Sequence, residues 1–242
     1  MQTLVIGAIL SVVILMTTFF HSKATLSTFL NPEGLIIVVG GTVAILLMTS
    51  KKEELVGFLR LMKKLIFRKA RARRTKEILL DCTKDIEKGK IPTETGHVFL
   101  DKSLGWLAAG LRGAELDKLL VDGAKLEVER TYSSAQVLSN IAKYPPALGM
   151  VGTVFGIIAI FNGLGSVEGQ INIGVNLAFA MTATLYGLIV ANFVVSPLSE
   201  LLSQSAQQEE IEISMIVETV KLWSEKQSAF FVQEHIELYD AA

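Results

Sequence analysis

The groups in this chain that could do chemistry sit where apolar residues dominate. Thr153 lies in "YPPALGMVGTVFGIIAIF", Tyr144 to Phe161. Thr182, Thr184, Tyr186, Asn192 and Ser196 lie in Ile173–Pro197. Neither stretch holds an Asp, Glu, Lys, Arg or His. A hydroxyl in such a setting has two uses. It can return its hydrogen to a carbonyl of its own helix or pack two helices together. It can also complete a site whose charged member comes from elsewhere. Ion and proton relays inside membranes usually rest on ionisable side chains, so this chain has no ion carrier of its own. Gly149, Gly152 and Gly156 recur at spacings of three and four. That stripe lets a neighbouring helix approach closely. Pro145, Pro146 and Pro197 bracket the pair and leave carbonyls that protein or water must re-satisfy.

Other candidate chemistry is weak. His97 and His235 are isolated, and no His/Cys/Asp/Glu cluster has metal-ligand spacing. "GGT" at Gly40–Thr42 lacks the lysine of a phosphate loop. Glu127, Glu129 and Glu209–Glu212 read as solvated helix faces. The single cysteine, Cys82, excludes an internal disulfide. These observations argue against an enzyme and imply no resident metal or cofactor.

The elements that must position the hydroxyls follow from composition. The chain has 242 residues, 50% of them hydrophobic and 19% charged, with a net charge of -1. Mean hydropathy is +0.46. A soluble domain carries nearer a quarter charged residues. The apolar excess falls in four blocks: Thr3–Phe20, Gly34–Thr49, Pro145–Leu164 and Ile173–Pro197. Crossing a bilayer takes roughly 20 apolar residues, so the second block is short unless residues around Asn31 and Met48 extend it. Thr3–Phe20 has no basic segment before it and no clear cleavage site, and reads as a span rather than a cleavable signal.

Basic residues set the orientation. Lys51, Lys52, Arg60, Lys63, Lys64, Arg68, Lys69, Arg71, Arg73, Arg74 and Lys76 crowd the segment after the second block, opposed only by Glu53 and Glu54. Positive flanks stay in the cytoplasm and can touch anionic lipid. Nucleic acid is not the expected partner, because the run adjoins a span and has no interleaved aromatics. The loops Ser22–Glu33 and Gly165–Asn172 then face outward, and both termini are cytoplasmic. The expected fold is an all-α membrane protein. Residues 1–49 carry two spans, 50–143 a helical cytoplasmic domain, 144–197 two more spans and 198–242 a cytoplasmic C-terminal helix. Within the cytoplasmic part, 51–90 reads as helix, "EKGKIPTETG" breaks it, "HVFLDKSLGWLAAGL" resumes it and "RG" interrupts it. The segment that follows is expected to run into the third span.

At these residues the chain resembles the MotA/PomA stator subunits of the bacterial flagellar motor, within the wider MotA/TolQ/ExbB group. "PPALGMVGTVFGI" looks like the family's third-span signature. "AMTATLYGLIVANFVVSPL" is similar to its fourth span, and "NPEGLIIVVGGT" to the start of its second. The resemblance covers nearly the whole chain. It implies a homopentamer in the bacterial inner membrane around a MotB/PomB-like partner whose single span supplies an aspartate. It implies that cations cross at that aspartate and that the flow drives a flagellar rotor switch protein. By position, Pro146 and Pro197 match the family's two span prolines, and Thr153 and Thr184 match the hydroxyls lining the ion path. The helix "DKSLGWLAAGLRGAELDKLL" resembles the rotor-facing region, with Lys102, Arg112, Glu115 and Asp117 as candidates for rotor contact.

Threonine at both hydroxyl positions accompanies sodium use in the family, which favours sodium over protons. TolQ and ExbB relatives carry threonines and use protons. A TolQ/ExbB-like energiser of an outer-membrane system is the alternative, though three spans and an outward N-terminus fit this chain less well. A membrane scaffold or a membrane enzyme is the third reading, the enzyme weakened by the absence of convergent polar groups in the cytoplasmic part.

Overall fold

The computed structural model describes residues 2–21, 29–66, 71–164 and 173–239. It separates into two compact units. The first comprises Met1–Lys51 with Val137–Glu200, the second Lys52–Gln136 with Leu201–Ala242. Among the described residues there is no strand.

The first unit contains α1 (Gln2–His21), α2 (Pro32–Thr49), α7 (Tyr144–Leu164) and α8 (Ile173–Ile189). The start of α2 is fixed locally. Asn31 is extended, and its side-chain oxygen accepts the Glu33 and Gly34 amides at 3.1 and 3.2 Å. Pro32 takes the first helical position, where a missing N–H costs nothing. This cap lengthens the second apolar block to 18 residues, about 27 Å of helix. Among the described residues, three helical runs are long and apolar enough to cross a membrane: Pro32–Thr49, Gly113–Leu164 and Ile173–Ser224. The helix α1 has 20 residues and exposes Ile6, Ile9, Leu10, Val13 and Met16.

The sequence did not signal two π-helical stretches, Ile36–Gly40 inside α2 and Val190–Val195 after α8. The second stands just before Pro197. That proline cannot donate to the carbonyl four residues back, and its ring crowds it. The helix widens there, and the Ser196 amide reaches back to Ala191 O. Pro145 and Pro146 play a different part. They lie in the first turn of α7, where amides have no helical partner in any case. The expected continuous helix into this span is interrupted by a turn at Ala142–Lys143.

The second unit contains α3 (Lys52–Ile66), α4 (Arg71–Glu87), α5 (Val98–Ala108), most of α6 (Gly113–Ile141), most of α9 (Ser196–Ser224) and α10 (Ala229–Leu238). Of the expected helix 51–90, Lys52–Ile66 and Arg71–Glu87 are helical, and residues 67–70 lie outside the described residues. The core joins Leu79 of α4, Leu100 and Leu104 of α5, Leu116 and Leu120 of α6, Ile213, Ile216 and Val220 of α9, and Val232 and Ile236 of α10. Trp223 seals its edge, its indole N–H donating to Thr83 Oγ1 at 3.2 Å. His97 begins α5, its Nδ1 accepting the Leu100 amide at 3.4 Å. Gly57 of α3 abuts the Ser134 hydroxyl of α6 so closely that it has no room for a Cβ. One face of the basic amphipathic helix therefore packs on protein.

The C-terminal tail, expected as one helix, is two. Lys226 adopts a left-handed φ of 57° between α9 and α10, and Ser228 caps α10 by accepting the Phe231 amide at 3.3 Å. Of the loops expected to face outward, Gly165–Asn172 lies outside the described residues, as do residues 22–28 of the first loop.

Candidate functional site: a hydroxyl pair between two apolar helices

The helices α7 and α8 lie against each other along their small residues. A Cβ on Gly149 would sit 2.9 Å from Ala183 O and 3.0 Å from Thr184 Cα. On Gly152 it would meet Ala183 Cβ at 2.5 Å, and on Gly156 it would meet Ala180 Cβ at 2.7 Å. On Gly187 it would overlap the Pro145 carbonyl, with Pro146 Cα 3.1 Å away. Backbone approach this close is the use of small residues in membrane helix pairs. The glycine stripe was legible in sequence. Its counterpart, Ala180, Ala183 and Gly187, was missed, although its three- and four-residue spacing is the same signal.

This approach brings Thr153 and Thr184 together. Their hydroxyls hydrogen-bond each other. Thr153 also reaches its own-helix carbonyl at Gly149 (3.2 Å) and the opposite one at Ala180 (3.1 Å). Thr184 mirrors this, with Gly149 O at 3.2 Å and Ala180 O at 3.5 Å. Both uses of a span hydroxyl are present at once: back-bonding to the helix and bonding across the pair. Each hydroxyl hydrogen has three acceptors within reach: Gly149 O, Ala180 O and the other hydroxyl. Whichever way they point, each hydroxyl oxygen keeps at least one free lone pair. The two residues are half-buried. The cluster offers oxygen ligands to a hard cation, and it has no charge of its own.

Other polar groups of α8 and of the π-helical stretch after it go elsewhere. Thr182 is buried and donates to Ala178 O at 2.5 Å. The Asn192 amide donates to Leu188 O at 2.9 Å. Tyr186 points to the start of α2, where its hydroxyl accepts the Asn31 amide at 2.8 Å and donates to Phe29 O. Pro146 is half-buried beside Gly187, and Pro197 is exposed at the start of α9.

The four rotor-contact candidates lie in the second unit. Lys102, Arg112, Glu115 and Asp117 are all exposed, and no ion pair joins them. Arg112 is held in place: its Nη1 donates to Leu107 O and Leu111 O, both at 3.2 Å. A cation on the carbonyls at the C-terminal end of α5 is favourably placed. Glu115 lies in the first turn of α6, which also suits its charge. No group of three or more His, Cys, Asp or Glu residues among the described residues could hold a metal.

Long apolar helices enclosing a charge-free polar seam define an integral membrane protein of the channel type. Residues 94–215 match the model of the MotA/TolQ/ExbB proton channel family, and the chain belongs to that family. It is similar along most of its length to the chemotaxis protein PomA of Vibrio alginolyticus, 24% identical over 220 residues, covering 89% of this chain and 86% of the relative. Its fold is that of the C. jejuni MotAB structure, with a TM-score of 0.82 at 16% identity over 98% of this chain and 94% of that one. The flagellar MotAB stator complex from Bacillus subtilis is similar too, with a TM-score of 0.75 at 20% identity, covering 97% and 94%.

Proposed function

We propose that this chain is the ion-conducting stator subunit of a flagellar motor in the bacterial inner membrane. In this reading α1, α2, α7 and α8 are four spans and both termini are cytoplasmic. Five copies surround a MotB/PomB-like partner, whose single span brings an aspartate to the Thr153–Thr184 oxygens. The cation is sodium, and its inward flow drives a flagellar rotor switch protein through charged residues of the second unit, with Lys102, Arg112, Glu115 and Asp117 as candidates. One charge crossing 100 mV releases about 2.3 kcal/mol, enough for a few ions to exceed thermal energy.

The observation that carries the reading is the facing hydroxyl pair in helices that hold no Asp, Glu, Lys, Arg or His. Such a seam can ligate an ion but cannot neutralise it, so a carboxylate must come from another chain. Likeness to PomA along most of both chains favours the motor stator over a TolQ/ExbB-like energiser. The test is swimming of cells that depend on this chain and its partner, in media with sodium and with a proton gradient alone. Swimming should require sodium; full speed without it removes the sodium assignment. Thr184→Ala should lower ion flux while leaving the assembled complex in the membrane, and unchanged flux would reduce Thr184 to a packing residue.

A further inference from the structure

The backbone is irregular just before α2, since Leu30 and Asn31 are not helical. The carbonyl of Phe29 and the amide of Asn31 flank this break. One side chain serves both. The Tyr186 phenol accepts the Asn31 N–H at 2.8 Å and donates its own hydrogen to Phe29 O. Backbone polar groups removed from water need partners, and here one oxygen on α8 bonds both. The bridge is close to the hydroxyl pair. Gly34 comes three residues after Asn31, and a Cβ on it would lie 3.5 Å from Ala183 Cβ. Ala183 in turn faces Gly152 of α7 and immediately precedes Thr184. Three helices thus meet at Ala183, with the phenol bridge on one side and the ion-path threonine on the other.

We infer that Tyr186 is a positioning residue for the ion path: its hydroxyl clamps the irregular start of α2 to α8 and so fixes the rotation of α8 that turns Thr184 toward Thr153. The inference rests on the proposed stator function for its link to ion flow. The clamp itself stands on geometry alone. Tyr186→Phe removes one oxygen and keeps the ring.

Two readouts test it in the full chain, co-expressed with its one-span partner. The first is a disulfide between Gly34→Cys and Ala183→Cys in a Cys82→Ser background. A Cβ separation of 3.5 Å falls within disulfide geometry. Oxidation should cross-link the pair in the Tyr186 chain, and the yield should drop in Tyr186→Phe. The second is the cation concentration giving half-maximal swimming speed. Losing the bridge should raise it about fivefold, the equivalent of one hydrogen bond, while the speed at saturating cation is kept. A merely structural role would instead lower the amount of complex and the top speed without moving the half-maximal concentration.

No cross-link in the Tyr186 chain, an equal cross-link in Tyr186→Phe, or an unmoved half-maximal concentration overturns the inference. If Tyr186→Phe does not reach the membrane, amide exchange in the unsubstituted complex decides. Asn31 N–H should exchange at least about tenfold more slowly than a solvated amide, and exchange at the solvated rate overturns the clamp. Should the unsubstituted chain support no cation-driven swimming, the stator reading fails while the cross-link still reports on the clamp.

Discussion

Thr153 and Thr184 reach the same two carbonyls, Gly149 and Ala180, from opposite helices. The hydroxyl, rather than the shape of the side chain, is what the pair shares. Thr153→Ser should therefore keep ion-driven swimming, and Thr153→Val, close in shape but lacking the hydroxyl, should lose most of it. Measured swimming speed at equal membrane levels checks this, and equal speeds would assign Thr153 to packing. A second residue makes a prediction in the other unit. Burial pushes the Cys82 thiol up from its usual 9.0 to about 11, with Asp85, Asp81 and Asp101 adding to the shift. The folded state then holds its proton longer than the unfolded state does. This contribution to stability is whole below pH 9 and is lost as pH rises toward 11. Alkylation of the native chain should keep accelerating between pH 9 and 11, whereas the denatured chain levels off near 9. A native profile that levels off near 9 would show Cys82 to be solvated.

At the scale of elements, the α7–α8 seam is set by which residues lack side chains. Gly152→Ala would press a Cβ against Ala183 Cβ at 2.5 Å, closer than packed carbons tolerate, so the helices must part and the hydroxyl pair with them. Removing the opposing Cβ should cure it. Gly152→Ala is expected to abolish swimming, and Gly152→Ala with Ala183→Gly to restore much of it. Failure of the double variant to recover would mean that Gly152 serves another contact. Periodicity showed the helices, and the glycine spacing showed one side of this seam. The π-helical stretches were not legible, because an i→i+5 turn changes hydrogen bonding without changing residue type. The split of the C-terminal tail at Lys226 was equally hidden, since a lysine rarely adopts a positive φ and gives no glycine to read.

At the scale of the whole molecule, the two units are stabilised differently. The buried cluster of large apolar side chains lies entirely within the second unit, from Leu79 to Ile236. The first unit turns its large side chains outward: Met150, Phe155, Phe161 and Met181 are 57–69% exposed. In water that surface is a liability, and in lipid it is a match. Its hydroxyl seam lacks a charge, and under the proposed function a second chain completes the ion site. Cells producing this chain alone should show no sodium-dependent flux. Flux should appear on co-expression with a one-span partner and vanish when that partner's span aspartate becomes asparagine. Flux from this chain alone would overturn the proposed division of labour.

Sequence by itself determined the apolar blocks, the basic run that follows the second of them, the absence of Asp, Glu, Lys, Arg and His within those blocks and the resemblance to the MotA/TolQ/ExbB group. Each follows from residue type and spacing along the chain, which sequence states directly. Only the tertiary structure decided that Thr153 meets Thr184, that Ala183 is where α2, α7 and α8 converge, and that Tyr186 closes the broken backbone before α2. Those facts join residues up to 157 positions apart. Such pairings depend on how two helices turn about their own axes when they pack, and an apolar helix with small residues on more than one face leaves that rotation open until its neighbours are in place.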